Sequence, residues 1–113
     1  MTKKYILLHL IFIIAVAFSA IADNEKYKDA DMQGIDFSGT SHKSSEWDNV
    51  DATNAIFSTK ENPTDYSYSY INASNFTGAK FANVIFESAN SFYTDYTNAD
   101  FTHAYARNAY FVG

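Results

Sequence analysis

No cysteine occurs among the 113 residues, which excludes a disulfide framework, a thiolate metal site and a lipoprotein anchor on cysteine. Proline is almost absent as well. The one that occurs, Pro63, cannot donate to a strand ladder and marks an irregular corner in whatever regular structure surrounds it. No glycine-rich phosphate loop, Ser-His-Asp order or metal-ligand spacing is found, so the chain is expected not to be an enzyme and to need neither cofactor nor metal. Aliphatic residues are few while aromatic ones reach 18 %, so the aromatics must do the packing.

The first residues read as an export address. Lys3 and Lys4 form a basic start, residues 6–18 are nearly all apolar, and Ala20-Ile21-Ala22 offers a small-x-small cleavage site, which predicts a signal peptide over residues 1–22 and a mature chain from Asp23. Residues 5–22 also just reach the length of a membrane helix, so contact with a membrane is expected only for an uncleaved form. His9 inside the run opposes a stable span. The expected location is therefore secreted or periplasmic. Without Lys3 and Lys4, six basic residues face all thirteen acidic ones, a formal charge of −7 that repels nucleic acid and anionic lipid.

Residues 23–29 are polar and read as a flexible lead-in, after which a step of five takes over. From Met32 it gives Phe37, His42, Trp47, Ala52 and Phe57; from Tyr66 it gives Ile71, Phe76, Phe81, Phe86, Ser91, Tyr96, Phe101, Ala106 and Phe111. Two residues before each large one stands a smaller one, as in Ala79-Lys80-Phe81 and Ala99-Asp100-Phe101. Phe57 and Tyr66 are nine apart, and residues 60–63 between them are read as an irregular corner that costs the repeat one residue. A helix needs apolar spacings of three and four, and a plain strand alternates. A period of five instead suits a chain that turns a corner after each short extended unit, with two residues inward and three outward.

The units Ala30-Asp31-Met32, Ile35-Asp36-Phe37 and Ala99-Asp100-Phe101 resemble the pentapeptide-repeat family, whose unit is Ala-(Asp/Asn)-(Leu/Phe)-X-X. The resemblance implies an all-β fold, a right-handed quadrilateral β-helix, here of about four coils over residues 30–113. Residues about twenty apart then stack, and with one residue lost near Pro63 the columns read Phe37, Phe57, Phe76, Tyr96; Trp47, Tyr66, Phe86, Ala106; His42, the irregular corner, Phe81, Phe101; and Met32, Ala52, Ile71, Ser91, Phe111. The core is expected in Phe37, Trp47, Phe57, Phe76, Phe81, Phe86, Tyr96, Phe101 and Phe111.

Outward positions carry little chemistry. His42 sits at a degenerate core position, and His103 points outward. Asp31, Asp36, Asp95 and Asp100 precede inward residues and are expected to satisfy local backbone groups at turns rather than to act as paired acids. Asn72-Ala73-Ser74 and Asn75-Phe76-Thr77 match the glycosylation pattern, which matters only in a eukaryotic host. Phe92, Tyr93, Tyr105, Tyr110 and Val112 fall at outward positions near the end, with Tyr68, Tyr70 and Ile85 shortly before. They read either as a partner surface or as drift within a repeat rich in Asn, Tyr and Phe.

The expected function is a non-catalytic exported scaffold or binding module for a protein or cell-envelope partner. One alternative follows from the resemblance, since some family members are acidic DNA mimics that bind DNA gyrase. Another is a small glycan-binding or hydrolytic protein. Phe111 stands at an inward position with no helix or charged cap after it, so a homodimer through the C-terminal coil is expected, with Tyr110, Phe111 and Val112 at the contact.

Overall fold

The computed structural model describes residues 23–113; the signal segment read in residues 1–22 lies outside them. The chain winds as a right-handed β-solenoid of about four coils. Its strands are β1 (Lys26–Lys28), β2 (Glu46–Asp48), β3 (Ile56–Ser58), β4 (Tyr70–Asn72), β5 (Lys80–Phe81), β6 (Asn90–Phe92) and β7 (Tyr110–Val112). All pairing is parallel: β1-β2-β4-β6-β7 form one sheet, β3-β5 another, and single bridges complete the other sides.

Each corner has the same local cause. On three sides the N–H three residues beyond an inward residue returns to that residue's carbonyl, as Ala79 does to Phe76 at 3.0 Å and Ala99 to Tyr96 at 2.9 Å. The residue two beyond the inward one, Thr59 excepted, takes a positive φ, between +50° and +62° at thirteen non-glycine positions. Such backbone suits glycine and, next best, asparagine. Gly34, Gly39, Asn49, Asn54, Gly78, Asn83, Asn98 and Asn108 hold it. One of the two positions that the sequence left free is therefore constrained. Ala73, at φ +50° and exposed, has no such excuse. Ala73→Gly should raise the unfolding free energy by about 0.5–1 kcal/mol in denaturant titration, and a loss of stability would contradict this account of the corners.

Aspartates close six of the corners from outside. Asp31, Asp36, Asp95 and Asp100 accept from the backbone N–H of Gln33, Ser38, Thr97 and Thr102 at 3.2, 2.8, 2.8 and 2.9 Å. Asp51 and Asp65 do the same for Thr53 and Ser67.

Two expectations are corrected. Residues 23–29 are the first repeat and not a lead-in. Tyr27, five before Met32, is buried in β1 and lies 4.3 Å from the Trp47 ring, while Asp23 accepts from Ser41 Oγ at 2.6 Å and Lys43 N–H at 2.8 Å. The second correction concerns register. Asp36 pairs with Ile56, but Ser41 pairs with Asp65 and Ile56 with Lys80, before Asp65 pairs with Ile85. Partners are 20 residues apart, as for Asp29 and Asn49, except across the second coil, where they are 24 apart, as for Asp48 and Asn72.

The irregular corner thus adds four residues instead of losing one. The extra residues bulge outward, with Lys60, Glu61, Asn62 and Pro63 all exposed. Asn62 C=O accepts from Thr59 and Gly39 N–H at 3.2 and 3.1 Å, so the loop closes without disturbing the coil. Phe57 and Tyr66 are consecutive inward residues. The columns become Tyr27, Trp47, Ile71, Ser91, Phe111; Met32, Ala52, Phe76, Tyr96; Phe37, Phe57, Phe81, Phe101; and His42, Tyr66, Phe86, Ala106. The third is phenylalanine throughout, with near-parallel rings 5.1, 4.7 and 4.9 Å apart.

Candidate functional site: an aromatic sheet face

Of the residues expected in the core, Phe37, Trp47, Phe57, Phe76, Phe81 and Phe86 are fully buried, Tyr96 and Phe101 partly so, and Phe111 is 47 % exposed. The gradient follows the coils, because the last one has a neighbour on one side only. Ser91 stands where the column calls for a large residue, and its hydroxyl lies 2.8 Å from Tyr96 Oη. Burial pushes the Tyr96 and Tyr66 hydroxyls well above the ordinary phenol range.

His42 is part of the core. It stacks on Tyr66 at 4.9 Å and 9°, and its Nε2 lies 2.6 Å from Thr40 Oγ1. That hydroxyl gives its proton to the Phe37 carbonyl, so Nε2 carries a hydrogen and donates. Burial pulls the imidazole down to about 3 despite the opposing field of Asp23. His103 is exposed in a different coil. Among the described residues no group of three or more His, Asp or Glu is placed to hold a metal ion.

The five-stranded sheet carries a gradient along its outward face. Its side differs from the other three: the N–H groups of Val50 and Ser74, three residues beyond Trp47 and Ile71, do not close a turn but go to Ser74 Oγ at 3.1 Å and Thr94 Oγ1 at 3.5 Å in the next coil, and three consecutive residues stay extended. Two outward rows result. One runs Lys26, Glu46, Tyr70, Asn90, Tyr110 and the other Lys28, Asp48, Asn72, Phe92, Val112. At β1 and β2 the rows are charged, with Lys26 and Glu46 paired at 3.2 Å. From β4 onward they are neutral and aromatic. Tyr70 lies 5.6 Å from Phe92, and Phe92 lies 6.3 Å from Tyr110.

The structure thus gathers Phe92, Tyr110 and Val112 on one sheet, with Tyr93 beside them in the positive-φ position at 72 % exposure. Tyr70, noted in the sequence but left outside the candidate surface, belongs to the group. Tyr105 does not: it bridges to Ile85 on the neighbouring side. The 24-residue coil is what hid Tyr70, since it sets the residue in register with Asn90 and Tyr110.

A square parallel solenoid with asparagine and glycine at its corners and aromatic columns inside defines the class: the chain has the fold of the pentapeptide-repeat proteins. HetL, a pentapeptide repeat protein involved in heterocyst differentiation regulation in the cyanobacterium Nostoc, superposes with a TM-score of 0.73 at 20 % identity, over 79 % of this chain and 39 % of HetL. QnrB1, a plasmid-mediated fluoroquinolone resistance protein, gives 0.58 at 15 % identity, over 80 % of this chain and 55 % of QnrB1. A pentapeptide repeat protein of the cyanobacterium Cyanothece gives 0.55 at 8 % identity, over 91 % of this chain and 99 % of its own. No family model and no curated protein matches the sequence.

Proposed function

We propose that the chain is an exported, non-catalytic binding module that presents the aromatic half of its five-stranded sheet to a protein or cell-envelope partner. The observation that carries this reading is the neutral stripe of Tyr70, Phe92 and Tyr110, set on rigid parallel strands and continued by the exposed Tyr93. Clustered exposed aromatics of this kind favour contact with a partner, whereas scattered ones need no account. The export half of the proposal draws on Lys3, Lys4, the apolar run and Ala20-Ile21-Ala22.

Pairing of two copies through the C-terminal coil belongs to the same proposal. Tyr110, Phe111 and Val112 in β7 are 60, 47 and 39 % exposed, and Phe101 beside them is half-buried. A two-fold contact end to end through β7 covers the inward Phe111 in both copies and meets Tyr110 and Val112 at their edges, leaving their sheet faces open.

Cell fractionation with intact-mass measurement tests the whole reading. The mature protein should be periplasmic or external and begin within two residues of Asp23, and light scattering should give a dimer that a Phe111→Asp, Tyr110→Ser variant loses. A cytoplasmic pool that retains Met1 would overturn export and favour the acidic gyrase-directed alternative. A stable monomer at micromolar concentration would remove the C-terminal contact.

A further inference from the structure

We infer that the neutral stripe on the five-stranded sheet binds successive hexose units of an uncharged, β-linked glycan chain. This rests on the reading of the chain as a binding module and gives that face its ligand.

Spacing comes first. The sheet supplies one ring per coil, Tyr70 and Tyr110 from one row and Phe92 from the other, in a zigzag with centroids 5.6 and 6.3 Å apart and an axial step of about 4.8 Å per coil. A hexopyranose unit spans a similar length, so an extended chain laid along the axis meets one ring per sugar. The C–H face of a β-hexopyranose packs on such rings as other apolar surfaces do. Interplanar angles of 42° and 55° keep the three rings out of a common plane. A single chain that twists from sugar to sugar fits this better than the flat face of a crystalline polymer.

Hydrogen-bonding groups stand beside the rings. Asn90 lies between Tyr70 and Tyr110 in one row, and Asn72 is the partner of Phe92 in the other. An amide both donates and accepts, which matches neighbouring sugar hydroxyls that do the same. Asn72 is already held by Asp48, to which its Nδ2 donates at 2.9 Å, so its carbonyl oxygen is presented in a fixed direction.

Charge narrows the ligand further. The outward residues of β4, β6 and β7 are Tyr70, Asn72, Asn90, Phe92, Tyr110 and Val112, without a formal charge among them. Charged residues on this sheet are confined to β1 and β2. An anionic glycan, a nucleic acid or a lipid phosphate finds no cation on the stripe, whereas a neutral hydroxylated chain loses no ionic hydration by lying on it.

Affinity electrophoresis of the protein in gels containing β-linked glucan, xylan or mannan, with polygalacturonate as the anionic control, tests the inference. At least one neutral polymer should retard the protein and polygalacturonate should not. Titration with the matching hexasaccharide should show binding weakened about tenfold by Phe92→Ser and again by Tyr110→Ser, and unchanged by Tyr105→Ser on the neighbouring side. Phe92 lies outside the proposed C-terminal pairing contact, so its variant separates sugar binding from dimerisation. Absence of retardation in every neutral gel, or unchanged affinity in folded Phe92→Ser and Tyr110→Ser proteins, overturns the inference. If no glycan binds while the same two variants lose crosslinking to a defined envelope protein, the sugar is wrong and the binding module stands; if that crosslinking is also unaffected, both fall.

Discussion

Phe57→Ala should lower the unfolding free energy by about 3–5 kcal/mol, through lost transfer energy and a cavity that the tube cannot close. Phe57 has no solvent exposure and touches rings on every side. Phe37 and Phe81 stack on it from the coils before and after, at 5.1 and 4.7 Å, and Trp47, Tyr66 and Phe76 approach within its own layer and the next, at 5.5, 5.5 and 5.0 Å. Four backbone walls tied by ladder hydrogen bonds surround this cluster, so inward relaxation is limited. Phe111→Ala, at a half-exposed position of the same repeat, should cost only about 1–1.5 kcal/mol. Denaturant titration of both variants measures the contrast. Equal losses would show that the repeat position alone, and not its coil, sets the contribution of an inward phenylalanine.

The step of five was readable because it is imposed by geometry at every corner, and a pattern repeated from Met32 to Phe111 survives occasional substitutions such as Ala52 or Ser91. Tyr27 escaped because a polar flank, Lys26 and Lys28, disguised one more unit in phase. The column assignments failed for a physical reason. A solenoid tolerates extra residues at a corner if they leave the wall together, and a linear sequence does not distinguish a missing residue in a ten-residue step from four surplus ones in a five-residue step. Thr64 held the clue, as a small buried residue two before Tyr66. The candidate surface was half legible for the same reason. Phe92, Tyr110 and Val112 are close in sequence to the end of the chain, but grouping them with Tyr70 and separating them from Tyr105 requires the register. The corner aspartates were legible because their bonds are local, spanning two residues.

Stability should fall as the pH drops from about 7 to about 4.5, before most carboxylates take up protons, and His42 should be the cause. The unfolded chain protonates this imidazole near its ordinary value of 6.5, whereas the folded chain, with the ring buried at 0 % exposure, resists protonation down to about 3. Between those values the unfolded state binds one more proton than the folded state, so stability rises with pH and is fully present above 6.5. The slope is about 1.4 kcal/mol per pH unit, which makes the loss at pH 4.5 roughly 2–3 kcal/mol. Asp95 and Asp100 act with the same sign, since hydrogen bonds from the Thr97 and Thr102 side chains and backbone hold them below the ordinary carboxylate value of 3.8, but their contribution disappears only at lower pH. His42→Phe separates the two. A phenyl ring keeps the stack on Tyr66, and Thr40 still donates to the Phe37 carbonyl. Urea titrations at pH 7.5, 6, 5 and 4.5 should show a sloping stability profile for the unmodified protein and a nearly flat one for the variant. Parallel profiles would show that His42 is not the group whose protonation opens the coil.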